Sequence, residues 1–336
     1  MEQTWHKQRA NLAILTEVTP GAWMTMASVF AAANCKLPFR NLKIKISNKE
    51  IERFVDRASL LALDSLFYGE QAEISFDVDA YTSGTAGTDT AFAPILKSCM
   101  AATVTAGTSV VYALNSSSMV HTSIGAEFIS EDGTASQRFG FKGCRLTKLQ
   151  LELTVGGEGI WHVTLKGPIA WETVSMVLTP IVQVAATPIA SITRDALNGN
   201  IPQFKGLAFT VGGVQRFISK LTLDWGIGAE EFTDVTDPTT IQRFVQTAIK
   251  PTLTIDPTLT PAATVNDFAA FFAGSTAPLS FPIGNGVGKT ITVTAPRLQR
   301  KTTDNGERGS FRTAETVYRL SSNTDIGDEA LTITVT

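Results

Sequence analysis

Excess positive charge, paired cysteines, clustered histidines and long apolar runs are all missing from this 336-residue chain, and each absence removes a class of function. Lys and Arg number 28 against 31 Asp and Glu, a formal charge of -3, so no global positive field draws the molecule onto nucleic acid or an anionic membrane. Tight DNA binding is disfavoured, whereas DNA sliding past is compatible with that balance. Cys35, Cys99 and Cys144 are odd in number and lack metal or redox spacing, which predicts reduced thiols in the core. His6, His121 and His162 lie far apart and read as surface or sheet positions, with no spacing that gathers metal ligands. No Gly-x-Ser-x-Gly elbow, Cys-x-x-Cys pair or His-Glu-x-x-His helix occurs. The sequence thus predicts no enzyme, no cofactor and no metal. Apolar stretches such as Val174 to Ile192 are broken by Thr179, Pro180, Gln183 and Pro188, which argues against a membrane helix. Met1 to Ala10 carries Glu2, His6, Lys7 and Arg9 without a following apolar run, unlike a secretory signal, so synthesis and retention in the cytoplasm are expected.

What is present is period-2 alternation between Gly-, Pro- and Asn-rich turns, the mark of half-buried strands, and a hydrophobic fraction of 43% that suffices for a globular core. Leu149, Leu151 and Leu153 alternate with Lys148, Gln150 and Glu152. Leu42, Ile44 and Ile46 alternate with Lys43, Lys45 and Ser47, Trp161, Val163 and Leu165 with His162, Thr164 and Lys166, and Leu221, Leu223 and Trp225 with Lys220, Thr222 and Asp224. Each such strand buries one face and wets the other. Helical signals are few: Asp89 to Met100 puts Phe92, Leu96 and Cys99 on one face, and Asn266 to Ala273 follows a capping Asn with Phe268, Phe271 and Phe272.

The two halves of the chain repeat one order of features. Asp77 lies 35 residues after Leu42, and Asp256 lies 35 after Leu221, each interval containing a long polar insert. A short helix follows in both, then Gly143-Cys144-Arg145-Leu146 matches Ala295-Pro296-Arg297-Leu298, and Gly156 to Trp161 matches Gly306 to Phe311 as the turn before the last strand. A fold used twice is the economical explanation, with chance alignment of two β-rich halves the alternative. This divides the chain into an N-terminal arm and first strand region (1–40), a first unit (41–172), a Pro-punctuated connector (173–202) and a second unit (203–336).

In its order of features the chain resembles the siphophage tail tube, or major tail protein, family over nearly its whole length. Leu12 to Gly21 is similar to the family's Glu/Gly-containing N-terminal arm, and Glu73 to Asp79 followed by Ala91 to Cys99 resembles its sheet strand and "Pro-x-Leu-x-x-Cys/Ala" helix. Asp132-Gly133 through Arg138 to Arg145 is similar to its hairpin. Ile201 to Gly206, Ile255-Asp256-Pro257, Asn266-Asp267-Phe268 and Pro278 to Phe281 resemble the second half of the same proteins. The resemblance implies an all-β fold with short flanking helices: two tandem tail-tube-type β-sandwich domains that contribute to a ring-closing β-barrel. Six domains make a ring in that family, so it implies a trimer with pseudo-sixfold symmetry, or alternatively a hexamer, stacked into a tube in the virion tail. Tape measure, tail terminator and distal tail proteins are the implied partners, with DNA passing through the lumen without tight binding and no membrane involved. Residues Asn48 to Gln71 and Gly226 to Lys250 would be loops that grip the neighbouring ring.

On that reading the wet face of the inner sheet lines the channel, and the candidates are Lys43, Lys45, Ser75, Asp77, Lys148, Gln150, Glu152, Thr222, Asp224, Thr252 and Thr254. A mixed or acidic lining suits a conduit, because each phosphate neutralised by Lys or Arg strengthens a contact that ejection must break. The same pattern arises on any solvated strand face. Gly284 to Thr290 looks like a phosphate-binding loop, yet Ile283 stands where glycine is required and a strand, not a helix, follows, so it reads as a hairpin turn. Asp77 and Asp79 on one strand face read as solvated carboxylates rather than a catalytic pair. A phage baseplate, decoration or receptor-binding β-sandwich protein is the competing function, and a carbohydrate- or peptidoglycan-cleaving enzyme a third.

Overall fold

A computed structural model describes residues 5–336 except 24, 52–64, 116–119, 133, 175–176, 181–183, 187–191, 198–199, 206–207, 238–239, 260–265, 285 and 325–327. The chain is all-β with three short α-helices and one 3-10 turn (Ala32–Asn34) among the described residues. Its first strands are β1 (Trp5–Thr16), β2 (Arg40–Ile51), β3 (Leu66–Asp79), β4 (Met100–Thr105), β5 (Ser109–Leu114), β6 (Thr122–Ser130), β7 (Ser136–Thr154) and β8 (Ile160–Pro168). Short strands β9 (Trp171–Val174), β10 (Val177–Pro180) and β11 (Val184–Ala186) follow, so the expected connector carries strand pairing of its own, β9 with β10 and β11 with β7. The remainder is β12 (Thr210–Val211), β13 (Val214–Gln215), β14 (Lys220–Asp224), β15 (Ile227–Thr233), β16 (Ile241–Ile249), β17 (Thr252–Ile255), β18 (Thr276–Ile283), β19 (Ile291–Arg308), β20 (Phe311–Ser321) and β21 (Thr332–Val335). The helices are α1 (Met26–Val29), α2 (Ala93–Lys97) and α3 (Asp267–Phe272).

Eight of these strands form one uninterrupted antiparallel run, β2-β3-β8-β7-β14-β17-β20-β19. The first four come from the first half of the chain and the last four from the second, and the two sets have the same internal order. The row Lys43, Ser75, Thr164, Lys148 across the first set corresponds to Thr222, Thr254, Val317, Thr302 across the second. An extra residue interrupts the ladder between Leu146 and Lys148 in β7 and, at the matching place, between Arg300 and Thr302 in β19. Irregularities between Thr122 and Ile124 in β6 and between Ala277 and Leu279 in β18 correspond in the same way. Short β12 pairs with β18 where β1 pairs with β6. These registers place Leu146 opposite Arg300 in the comparison, two residues further along than the sequence alignment of Leu146 with Leu298. The cause is the turn: β19 and β20 join through Gly309 and Ser310 alone, whereas β7 and β8 need a longer turn, so Gly306 lies in a strand rather than in the turn.

Core packing follows the alternation. Ile74, Phe76, Leu149, Leu151, Leu153, Trp161, Val163, Leu221, Leu223 and Leu253 are all buried, in a single apolar cluster that spans both sets of strands. Within it Trp161 meets both Trp225 and Phe92, with ring centroids 5.4 Å apart in each pair. The outer layer is likewise shared, because β21 pairs with β5 on one side and with β19 on the other. Helix α2 is shorter than the expected Asp89 to Met100, since Asp89 instead accepts hydrogen bonds from the Tyr112 hydroxyl and the Lys97 ammonium, both at 2.6 Å, ahead of the helix. Phe92, Leu96 and Cys99 are buried as their spacing predicts. Asn266 caps α3 by accepting from the Ala269 N–H at 2.9 Å, and Phe272 is 82% exposed. Cys35, Cys99 and Cys144 are buried free thiols, with burial pushing Cys35 up to about 11 and Cys99 up to about 12. No helix among the described residues is long and apolar enough to cross a membrane.

Candidate functional site: the wet face of the sheet and its two open edges

All eleven residues singled out from the sequence lie on one face of the eight-strand run. Lys43, Lys45, Ser75, Asp77, Lys148, Gln150, Glu152, Thr222, Asp224, Thr252 and Thr254 each alternate with a core residue on their strand, and none is buried. Cross-strand pairing assembles them into rows. Asp77 faces His162, which faces Gln150, then Asp224 and Thr252. Glu152 faces Thr222, which faces Thr254. The separate alternations read from the sequence are therefore parts of one surface.

Part of the charge on this face is neutralised in place. Arg40 pairs with Asp79, and Lys220 lies 2.9 Å from Glu152 across the β7–β14 junction. The hydrogen bond from Lys220, its charge and that of His162 hold the Glu152 carboxyl below its ordinary range, against a smaller opposing effect of burial. His162 Nδ1 sits 2.7 Å from Asp77, whose other oxygen accepts from the Asn41 side chain at 2.7 Å. His162, Lys166, Lys220 and Arg319 belong to the same face and were absent from the sequence-based set. Alternation could have supplied them, since His162 and Lys166 flank Val163 and Leu165 on the wet side. Asp77 and Asp79 thus each have a basic or polar partner, as solvated strand carboxylates do.

Both ends of the run are unpaired among the described residues. Strand β2 pairs with β3 alone, and β19 from Thr302 to Arg308 pairs with β20 alone. An inner neighbour makes a visible difference to burial. Leu221 and Leu223 on β14 are fully buried between β7 and β17, whereas their counterparts Leu42 and Ile44 on β2 are only half-buried. Exposed backbone N–H and C=O groups on such an edge are a template for another strand.

Both long inserts are built on hairpins. The segment Gly226 to Lys250, expected to reach a neighbouring ring, forms the β15–β16 hairpin and lies back on the first half of its own chain. Asp237 pairs with Lys142, and the Phe244 carbonyl accepts from His121 Nε2 at 2.9 Å. Gly143, at φ 55°, lets the hairpin approach, since a Cβ there would stand 2.6 Å from the Arg243 side chain. The carboxylate of Glu17 fixes this corner by accepting from the Gly143 and Gly21 N–H groups and from Ser123 Oγ. His121, held by Phe244 on one nitrogen and facing Arg145 Nη2 at 3.3 Å on the other, is pushed down to about 4 by burial and then by the Arg145 charge. Residues Asn48 to Gln71 extend the β2–β3 hairpin, with 52–64 outside the described residues, and present Leu66 (55% exposed) and Phe67 (63%) to solvent. Gly284 to Thr290 is the turn joining β18 to β19, with Lys289 N bonded to the Gly286 carbonyl, as its Gly/Asn composition predicts.

A second buried polar centre lies under β19. Asp267 receives Arg216 in a bidentate pair and Arg300 at 2.9 Å, with all three side chains at most 7% exposed. Burial alone would raise the Asp267 carboxyl, and the hydrogen bonds and charges of Arg216 and then Arg300 outweigh that and hold it below the usual carboxylate range. Nothing in local spacing announces this cluster, because its members come from three distant segments. Among the described residues no three His, Cys, Asp or Glu side chains are grouped to hold a metal ion. No protein-family model and no curated protein sequence matches the chain.

Proposed function

We propose that this chain is the structural, non-enzymatic subunit of a phage tail tube, a major tail protein whose copies associate head to tail into stacked rings around a DNA-conducting lumen. The observation that carries the reading is the eight-strand run: two sets of four strands with the same order and matching irregularities, fused edge to edge, with both terminal edges left open among the described residues. Two tube-type domains in tandem is the economical account of that repetition. A head-to-tail contact between copies removes both edges at once, and a closing rotation makes a ring. Three copies supply twenty-four strands, which at about 4.8 Å spacing and a tilt near 40° form a barrel roughly 48 Å across. That leaves room for a DNA duplex inside the side chains.

The wet face supports the same reading through its charge. Its lysines and arginines are interleaved with Asp and Glu, and Arg40, Lys166 and Lys220 pair with Asp79, Glu73 and Glu152, which lowers the number of cations free to hold phosphates. Negative-stain microscopy of the purified chain is the direct test. Hollow tubes of uniform bore are expected; a protein that stays monomeric at every concentration removes the tube reading and leaves the baseplate, decoration or receptor-binding alternative.

A further inference from the structure

We infer that one copy of this chain joins the next through β19 and β2, in the register that β7 and β14 hold inside the chain. The inference rests on the head-to-tail reading above and adds specific residue pairs to it. Inside the chain the junction sets Thr222 opposite Glu152, Leu223 opposite Leu151 and Asp224 opposite Gln150. The cross-strand rows turn each of these into its counterpart. Lys43, Ile44 and Lys45 occupy on β2 the places of Thr222, Leu223 and Asp224 on β14, fixed by their partners Ser75, Ile74 and Glu73 on β3. Counting from the shared irregularity, Asp304, Asn305 and Gly306 occupy on β19 the places of Gln150, Leu151 and Glu152 on β7. Transferred between copies, the junction therefore sets Lys43 opposite Gly306, Ile44 opposite Asn305 and Lys45 opposite Asp304.

Three observations independent of the transfer fit a second copy as the occupant. The two strand edges concerned carry unpaired backbone among the described residues, and they are the outer edges of opposite ends of one sheet, so each copy offers a donor and a receiver. Ile44 is half-buried where its counterpart is fully buried, the deficit that one added strand makes good. The edges are also complementary in charge. Lys43 and Lys45 on β2 have no ion pair within the described residues, and neither has Asp304 on β19. A slip of one residue turns Lys45 to the opposite face from Asp304, so the charge pair also resists misregistration.

Disulfide trapping in the full-length chain tests the register. Ile44 and Asn305 are both changed to Cys, the native cysteines being buried, and the protein is oxidised and run on non-reducing gels beside an off-register control, Ile44→Cys with Thr303→Cys. The expected result is a ladder of linked dimers and trimers at least tenfold more abundant than in the control, with parent-like thermal unfolding in both. Tubes that form without in-register linkage, or that link equally in the control, overturn the register while leaving the tube reading intact. A chain that neither assembles nor links overturns both. Charge exchange provides a second measurement: Lys45→Glu and Asp304→Lys each lower the assembled fraction at low salt several-fold, and the double variant restores it. A double variant that assembles worse than either single one also overturns the pairing.

Discussion

Replacing Asp267 by Ala is the sharpest test of how the second half is held together. The carboxylate satisfies two guanidiniums at once, from Arg216 and Arg300, in a place where the three side chains are 1%, 3% and 7% exposed. Its removal leaves two cations buried a few ångströms apart with no counter-ion, and breaking a buried pair in this way costs on the order of 3–5 kcal/mol. Loss of the Asn266 cap on the same helix, by comparison, costs about 1 kcal/mol. The thermal midpoint should fall by roughly 6–10 °C, taking the low end of the usual conversion for a chain this long. Replacing both arginines by Met in the same variant should recover most of the loss, because apolar side chains of similar length tolerate burial. The sign with pH follows from the depressed carboxyl: its contribution is present above the unfolded value of 3.8 and is lost as pH falls through the lower folded value. A loss below about 1 kcal/mol in urea titrations of Asp267→Ala, or no recovery in the triple variant, would refute a desolvated cluster.

Acid should loosen the β15–β16 hairpin first. His121 is held neutral in the folded chain, so its contribution is full above the unfolded value of 6.5 and is lost as pH falls towards about 4, at most on the order of 3 kcal/mol. Burial raises the neighbouring Glu17 carboxyl and opposes this at the acid end, so the quantity to measure is the difference between parent and His121→Asn in hydrogen exchange of β16 amides; a difference constant with pH would contradict the assignment. Trp225→Ala, at the contact with Trp161, should cost about 3–5 kcal/mol and lower one common unfolding transition. Two separated transitions in the parent calorimetric trace would show instead that the halves have independent cores. Glu152→Lys should slow DNA ejection while leaving tube assembly intact, and unchanged ejection kinetics removes Glu152 from the lining.

Legibility in the sequence followed the range of the forces involved. Alternation is local, so the strands around Leu42, Leu149, Trp161 and Leu221 and the wet side of each were readable, and so was the repeated spacing of Asp77 and Asp256. Asn266 announced α3 because capping acts within one turn. Pairings between distant segments left no such trace. That β14 would continue the sheet from β7, that Gly226 to Lys250 would fold back over His121 and Lys142, and that Arg216, Asp267 and Arg300 would converge all depend on contacts between residues far apart in the chain. The helix at Asp89 was overextended because Tyr112 and Lys97 compete for the carboxylate that a first turn would otherwise use.

The matching irregularities in β7 and β19 have a geometric consequence. An extra residue bends its strand and increases local right-handed twist. The two bends occupy the same level of the sheet, four strands apart. Each bend curves the sheet in the same sense. The curvature of the sheet is then set by the backbone at these two strands, leaving the side chains of the wet face free to change in charge without changing it.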